Sequence, residues 1–452
     1  MISPLDSRVL DANSESLGVE VDVLMANAGE ALADVITDLY SGKRILFVCG
    51  TGNNGGDGYV AARLLEADVA FFKEPRTAPA MNAFRKLDNR PIQFDEKILY
   101  EYDVIIDCVL GTGVSGKVRE PYAGYIRAVN ASKKTILSCD VPSGFGTDIA
   151  VKPDVTVTFH DVKEGMDEKN CGSIIIADIG IPPEAYEFVG TGDMIRYPVP
   201  DKEAHKGQNG RLLIIGGGPY TGAPSLAGMA ALRVGTDLVH IATPESSFQT
   251  IASASPSFIV HRLPGDHLSD GSVKELIELS KGMDAVLIGP GLGTDDSTRK
   301  AMKEFVNGCE VPMVVDADGI TALAGSVPKK NIIFTPHRGE YKTLAGDKVP
   351  ERTASEMSCI IVLKGPEDII TDGTRTRKNR TGTSAMTVGG TGDVLAGTIA
   401  GLLAKGMSPF DAGCLGTYIC GKAGGKSFDE FSYGLLATDI IDNIARVLRE
   451  EL

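Results

Sequence analysis

Short, almost continuously apolar runs recur along the whole chain, and segments with helical periodicity separate them. In the first half the runs are 44–49, 103–110, 135–140, 154–159 and 173–179; later they are 211–215, 237–242, 284–288, 312–316, 331–335 and 359–363. A strand that is apolar along its length must be covered on both faces, unlike one that alternates. Such strands, joined by helices, predict parallel sheets in three-layer α/β units. The helical patterns fall at 20–40, 224–235, 297–306, 393–405 and 438–451, the last with Thr438 as a possible N-cap.

A chain of 452 residues is too long for a single core. The stretch 189–208 holds Gly190, Gly192, Pro198 and Pro200 with weak periodicity, and reads as a linker. It predicts a domain 1–195 and a domain 196–452. The formal charge of −15 excludes a general nucleic-acid binder, which needs a basic face. It does not exclude a small anionic ligand held by backbone N–H groups. The eight cysteines form no C-x-x-C pair and several sit inside apolar runs, as expected of buried free thiols in a reducing compartment. No apolar run approaches a membrane span and the N-terminus has no leader pattern, so a cytoplasmic protein without membrane contact is expected.

In the first half, Gly50-Thr51-Gly52-Asn53-Asn54-Gly55-Gly56-Asp57-Gly58 follows a strand and opens a helix. Glycines allow a sharp turn and close approach, and free N–H groups at a helix start favour phosphate. The spacing is not that of a dinucleotide-binding fingerprint. Two further strands end on Asp107-Cys108-Val109-Leu110-Gly111-Thr112-Gly113 and on Asp140-Val141-Pro142-Ser143-Gly144. Ligands in open parallel sheets bind beyond the carboxyl ends of strands, so these ends can converge. Asn54, Asp107 and Ser143 offer oxygen atoms with a single carboxylate among them, which suits a monovalent cation better than Zn²⁺. Each aspartate is equally suited to capping a helix.

These motifs, occurring in order over roughly 5–190, resemble the NAD(P)H-hydrate epimerase family. The resemblance implies a Rossmann-like sheet domain that interconverts the R and S forms of nicotinamide hydrated at C6. It implies substrate contacts at Asn53, Asn54, Gly55, Gly56 and Asp57, at Gly111, Thr112, Gly113, Val114, Ser115, Gly116 and Lys117, and at Asp140. It also implies K⁺ held through Asn54, Asp107 and Ser143. Asp140 is the expected acid or base.

In the second half, Gly389-Gly390-Thr391-Gly392-Asp393 precedes a strong helix. Its N–H groups can stabilise a phosphoryl group, and Asp393 can take a proton from a hydroxyl that attacks one. Gly289-Pro290-Gly291-Leu292-Gly293, Thr335-Pro336-His337 and Lys364-Gly365 also end strands, and Lys364 can reach phosphate. Together with His205-Lys206-Gly207 and Asp316-Ala317-Asp318, they resemble the ribokinase-like superfamily and, within it, ADP- or ATP-dependent NAD(P)H-hydrate dehydratases.

That resemblance implies that Ala223, Gly291, His337 and Asp393 line the hydrate site and that Lys364, Gly365, Pro366, Glu367, Asp368 and Gly392 meet the nucleotide. It implies ADP or ATP as phosphoryl donor with Mg²⁺, hydrated NADH or NADPH as substrate, and a homo-oligomer. Pro366-Glu367-Asp368 departs from the small residues many relatives carry, and a carboxylate is unfavourable near phosphate. The rival reading is a vitamin or sugar kinase with an N-terminal ligand-binding module, which would release a stable phosphorylated product.

Overall fold

The structure, a computed structural model, describes residues 1–326 and 331–452. The chain divides into two units, Met1–Ala185 and Tyr186–Leu452.

The first unit is built on β1 (Ile45–Cys49), β2 (Asp68–Phe71), β3 (Ile92–Gln93), β4 (Val104–Cys108), β5 (Thr135–Cys139), β6 (Val155–Phe159) and β7 (Ser173–Ala177). They form a parallel sheet in the order β3-β2-β1-β4-β5-β6-β7. Burial explains the apolar runs: four of the five residues in each of β1 and β5, and all five of β4, are buried. One face packs beneath helix Val21–Tyr40 through Leu32, Ile36, Phe47 and Ile106, and the other holds Leu46, Val48, Ile105 and Ile126. Order reverses between β1 and β4, so the loops that follow these two strands flank a crevice.

The second unit carries β8 (Arg211–Ile215), β9 (Leu238–Pro244), β10 (Phe258–Leu263), β11 (Ala285–Ile288), β12 (Met313–Val315), β13 (Ile332–Phe334), β14 (Ile360–Leu363), β15 (Asp368–Thr371) and β16 (Thr376–Asn379). The sheet order is β10-β9-β8-β11-β12-β13-β14-β15-β16, with β15 and β16 antiparallel at one edge. Its reversal lies between β8 and β11, so the loops after these strands, 216–221 and 289–293, open on the crevice. Helices Gly222–Arg233, Thr391–Ala404 and Ala437–Glu451 pack together on one face.

Three local expectations change. The stretch read as a linker is part of the second unit: Val189 N–H donates to Lys378 O at 2.8 Å, Arg377 holds Asp193 at 3.1 Å, and Val189, Met194 and Tyr197 are buried in its core. Its few apolar residues are spaced for a short 3-10 turn, Thr191–Arg196, so it lacks the longer period of a helix. Thr438 is not the N-cap of the last helix; Leu436 is, and its N–H donates to Asp439 at 2.7 Å. The strands at β2, β3, β10, β15 and β16 lie toward sheet edges, where half-exposed residues break the apolar signal. Among the described residues no helix is long and apolar enough to cross a membrane.

Candidate active sites

In the first unit a cavity of about 470 Å³ opens beyond the carboxyl ends of β1, β4 and β5. Asn53, Asn54 and Asp57 line it from the first turn of helix Asn53–Leu64, Gly111 to Val114 from the loop after β4, and Asp140 from the loop after β5. Gly55 and Gly56 face away. A Cβ on Gly56 would lie 2.4 Å from Met25 Cε, and one on Gly55 would lie 2.2 Å from Gly50 O, so both serve close packing beneath the turn. Ser115, Gly116 and Lys117 are exposed farther along the loop and do not line the cavity.

The charged end of the cavity was only partly legible in the sequence. Asp140 sits at φ 61°, a left-handed conformation that an aspartate tolerates and that is typical of strained functional positions. Its carboxylate accepts from Phe159 N at 3.2 Å and pairs with Lys163, whose ammonium also donates to Thr158 Oγ1 at 3.0 Å and Phe159 O at 2.8 Å. Lys163 is 1% exposed. Asp11, from helix Pro4–Ser16, lines the same cavity. Burial, then repulsion from Asp140, raises its carboxyl to about 6 against the attraction of Lys163. Burial, then Asp140 and Asp11, pushes Asp57 well above the usual carboxylate range. Asp11 and Lys163 carried no motif; the tertiary fold brings them in, because Ile2 pairs beside Lys163 and its backbone bonds to Val162 and Glu164 at 2.9 Å.

Of the three residues expected to hold a monovalent cation, Asn54 has the free oxygen, while its Nδ2 is a donor that calls for an acceptor. Both polar atoms of the Asn54 amide are buried without a hydrogen-bond partner, a costly arrangement unless a ligand answers it. Asp107 is fully buried and already accepts from Ser143 Oγ (2.6 Å), Ser143 N (2.8 Å), Ser138 Oγ (2.9 Å) and Tyr125 OH (3.0 Å). Ser143 Oγ in turn accepts from Leu110 N at 2.8 Å. These two side chains therefore brace the loops around Asn54; Asp107 is saturated by its donors, whereas Ser143 Oγ keeps one lone pair free.

In the second unit the acidic and basic groups converge where β12, β13 and β14 end. Lys364 Nζ lies 3.0 Å from Asp316 Oδ1 and 4.0 Å from Glu340 Oε2. Burial lowers the affinity of Lys364 for its proton, but Asp316 and Glu340 outweigh it and the net direction is up. A Cβ on Gly392 would stand 3.3 Å from this ammonium, so the lysine sits against the N-terminal turn of helix Thr391–Ala404. Gly390 caps that helix at φ 94°, and Thr391 Oγ1 ties the turn to Met386 O at 2.8 Å. Asp393 follows in the first turn. Burial, then repulsion from Asp316, raises it to about 7, with Glu340 and Asp318 adding to the rise and Lys364 opposing it.

The remaining walls are backbone devices. Ala317 adopts φ 48°, ψ −122°, a region that L-residues avoid, and so separates Asp316 from Asp318. Asp318 accepts from Gly293 N at 2.8 Å. Gly291 lies so close to Tyr220 that a Cβ would meet Tyr220 O at 2.2 Å, which links the 289–293 loop to the helix bearing Ala223. His337 caps helix Arg338–Ala345: its Nδ1 accepts from Gly339 N at 2.9 Å, and Glu340 returns a bond to His337 N at 2.8 Å. The His337 side chain is 61% exposed, and its Nε2 lies 3.6 Å from Glu340 Oε1.

Asp368 departs from its expected role. Its oxygens are taken by Gly365 N and Asn379 Nδ2, both at 3.0 Å, so the carboxylate pins the 364–367 turn and is not aimed at a phosphate. Glu367 turns toward Lys378 at 3.4 Å, while Gly365 and Pro366 are exposed. Asp316, Glu340 and Tyr220 were not singled out for roles from sequence. A larger cavity, about 1000 Å³, lies at the opposite ends of these strands. Of the charged residues that line it, Asp284 accepts from Arg211 N at 2.8 Å, Lys405 donates to Gly235 O at 3.2 Å and Lys281 pairs with Glu278.

Two family models match the chain. One, described as NAD(P)H-hydrate dehydratase, covers 212–446, and the other, described as YjeF-related protein N-terminus, covers 21–165. The bifunctional NAD(P)H-hydrate repair enzyme Nnr of Archaeoglobus fulgidus is 39% identical, over 99% of this chain and 98% of that protein. The protein of the same name from Methanothermobacter thermautotrophicus is 38% identical, over 99% and 95%. Among solved structures, the ADP/ATP-dependent NAD(P)H-hydrate dehydratase from Bacillus subtilis, co-crystallized with ATP/Mg²⁺, is 29% identical with a TM-score of 0.53, covering 59% of this chain and 99% of that one.

Proposed function

Because the chain belongs to the family of bifunctional NAD(P)H-hydrate repair enzymes, we propose a division of its labour between named residues of the two units. The chain restores hydrated nicotinamide nucleotides. Its first unit, Met1–Ala185, epimerises the hydrate and its second, Tyr186–Leu452, dehydrates the S form with a nucleotide as phosphoryl donor.

In the dehydratase site Asp393 takes the proton of the C6 hydroxyl as that oxygen attacks the terminal phosphoryl group. Its environment suits the task, since a base that titrates near neutrality can both accept and release a proton. Lys364 and the N–H groups of Gly392 and its neighbours carry the phosphoryl charge. Hydroxide leaves poorly and phosphate leaves well, so the carbon–oxygen bond breaks after transfer and loss of a ring proton restores the dihydronicotinamide. Mg²⁺ that accompanies the nucleotide would be held mainly through its phosphate oxygens, since among the described residues no three acidic, histidine or cysteine side chains cluster as a metal site. Ala223, Gly291 and the His337 rim shape the hydrate side.

In the epimerase site the nicotinamide enters the cavity between Asn53–Asp57 and Gly111–Val114, with Asp140 as acid or base. Asn54 would hold K⁺ through its Oδ1, with Asp107 and Ser143 bracing the loops around it, and the ion would supply fixed positive charge at that end of the cavity. The juxtaposition of Asp393, Lys364 and Asp316 carries the dehydratase reading.

The test is to incubate chemically hydrated NADH with ADP or with ATP and follow the reduced-nicotinamide absorbance and free phosphate. Recovery of both in equal amounts supports repair. A stable phosphorylated product without absorbance recovery supports the kinase reading instead.

A further inference from the structure

The epimerase cavity holds an imbalance that one catalytic aspartate does not explain. Asp11, Asp57 and Asp140 line it together, and Lys163 is the buried ammonium paired among them. Arg8 and His160 also line the cavity. The pairing is specific: Lys163 bonds Asp140, while the energetic influence of Asp140 on both Asp11 and Asp57 is repulsive. Crowded carboxylates with too few cations retain protons, and they do so as a shared set.

We infer that Asp11 is the second proton carrier of the epimerase, working with Asp140 at the same cavity. The inference rests on the epimerase reading of that cavity. Asp11 comes from a helix outside every motif of the strand ends, and its chain neighbour Asn13 anchors that helix to Ala185 O at 3.3 Å. Burial and Asp140 push the Asp11 carboxyl up to about 6, within reach of neutrality, whereas Asp57 is pushed well above the usual carboxylate range.

The chemistry needs two such groups. The hydrate bears its hydroxyl on the carbon bonded to the ring nitrogen. One carboxylate takes the hydroxyl proton, and the freed electron pair forms the carbonyl. The carbon–nitrogen bond breaks, its pair stays on nitrogen, and nitrogen takes a proton from the other carboxyl. Rotation about the adjacent carbon–carbon single bond presents the opposite carbonyl face. Closure reverses each transfer, so no oxidant or further reactant is consumed and the two carboxyls end with the protons they began with.

The test uses the full chain and hydrated NADH enriched in the R form, without nucleotide, with interconversion followed by chromatography against the spontaneous rate. Asp11→Asn is expected to lower the catalysed rate by about 100-fold with little change in KM. The alkaline limb of the wild-type pH profile should vanish in Asp11→Asn and reappear, displaced, in Asp11→Glu. Dehydration of the S form with ADP or ATP, and the thermal melt, report whether each variant is folded. Asp11→Asn retaining more than about a tenth of the rate, or losing rate with the alkaline limb unchanged, would overturn the assignment. A wild-type chain that does not accelerate interconversion at all would refute the epimerase reading and this inference with it.

Discussion

Lys364 and Asp316 stand 48 positions apart in sequence, yet their side chains meet at 3.0 Å. The contact follows from topology. Asp316 directly follows β12 and Lys364 directly follows β14, and β13 lies between these strands. Lys364 N–H donates to Pro336 O at 2.8 Å, which aligns its strand end with the β13 end that carries His337. Asp316 also accepts from Thr335 Oγ1 at 2.8 Å, so the pair is satisfied though largely removed from water.

Removing the cation should therefore harm both stability and nucleotide use. Lys364→Met leaves the buried Asp316 carboxylate without its charge partner, a loss of about 3–5 kcal/mol for a buried pair. The melting temperature should fall, and KM for ADP or ATP should rise more than KM for the hydrate. Equal KM values for wild type and variant would remove Lys364 from the nucleotide site.

Asp393→Asn should lower dehydration kcat by about 10²–10⁴-fold while KM for both substrates changes little. In the wild type kcat should climb through a pH near 7, because the base acts in its ionised form and its carboxyl titrates at about 7. A pH-independent wild-type kcat between 5 and 9, as measured by absorbance recovery, would point to another base.

The same shift makes a stability prediction of opposite sense. The folded carboxyl of Asp393 is raised from 3.8 to about 7, so between these values the folded state binds the extra proton. Stability from this group is present at low pH and is lost as pH rises toward 7. Asp393→Asn should then melt higher than wild type at pH 8, by a few degrees on the order expected for about 1–2 kcal/mol, and the gap should close near pH 5. A gap that widens on acidification would contradict the sign.

Asn54→Leu tests the cation site from the other direction. The Asn54 amide has buried, unpartnered atoms, so removing it relieves a desolvation penalty of about 1–3 kcal/mol rather than breaking a bond. The variant should be at least as stable as wild type, epimerise about 10-fold more slowly or worse, and lose any acceleration by KCl over NaCl. Full epimerisation with an intact response to K⁺ would exclude Asn54 as a ligand.

Much of this architecture is written in local sequence. Continuous apolar runs become buried central strands because both faces are covered, and glycine-rich turns at 50–58 and 389–393 follow from backbone that must bend sharply or pack without a Cβ. Asn54, Asp140, Lys364 and Asp393 could be chosen because each follows a strand end or opens a helix, where a parallel sheet gathers its ligands. Edge strands such as β15 and β16 were hidden, since partial exposure removes the uniform apolar pattern. Tertiary structure alone decided which charges meet. Asp11 and Lys163 lie in segments without a motif, and Asp316, Glu340 and Asp393 perturb one another only after β12, β13 and the helix Thr391–Ala404 are packed. Asp368 shows the converse: its place in sequence suggested a phosphate contact, and packing turned its carboxylate onto Gly365 and Asn379. Local sequence specifies backbone form through sterics and burial, but electrostatic function depends on distances between remote segments, which only the folded sheet order sets.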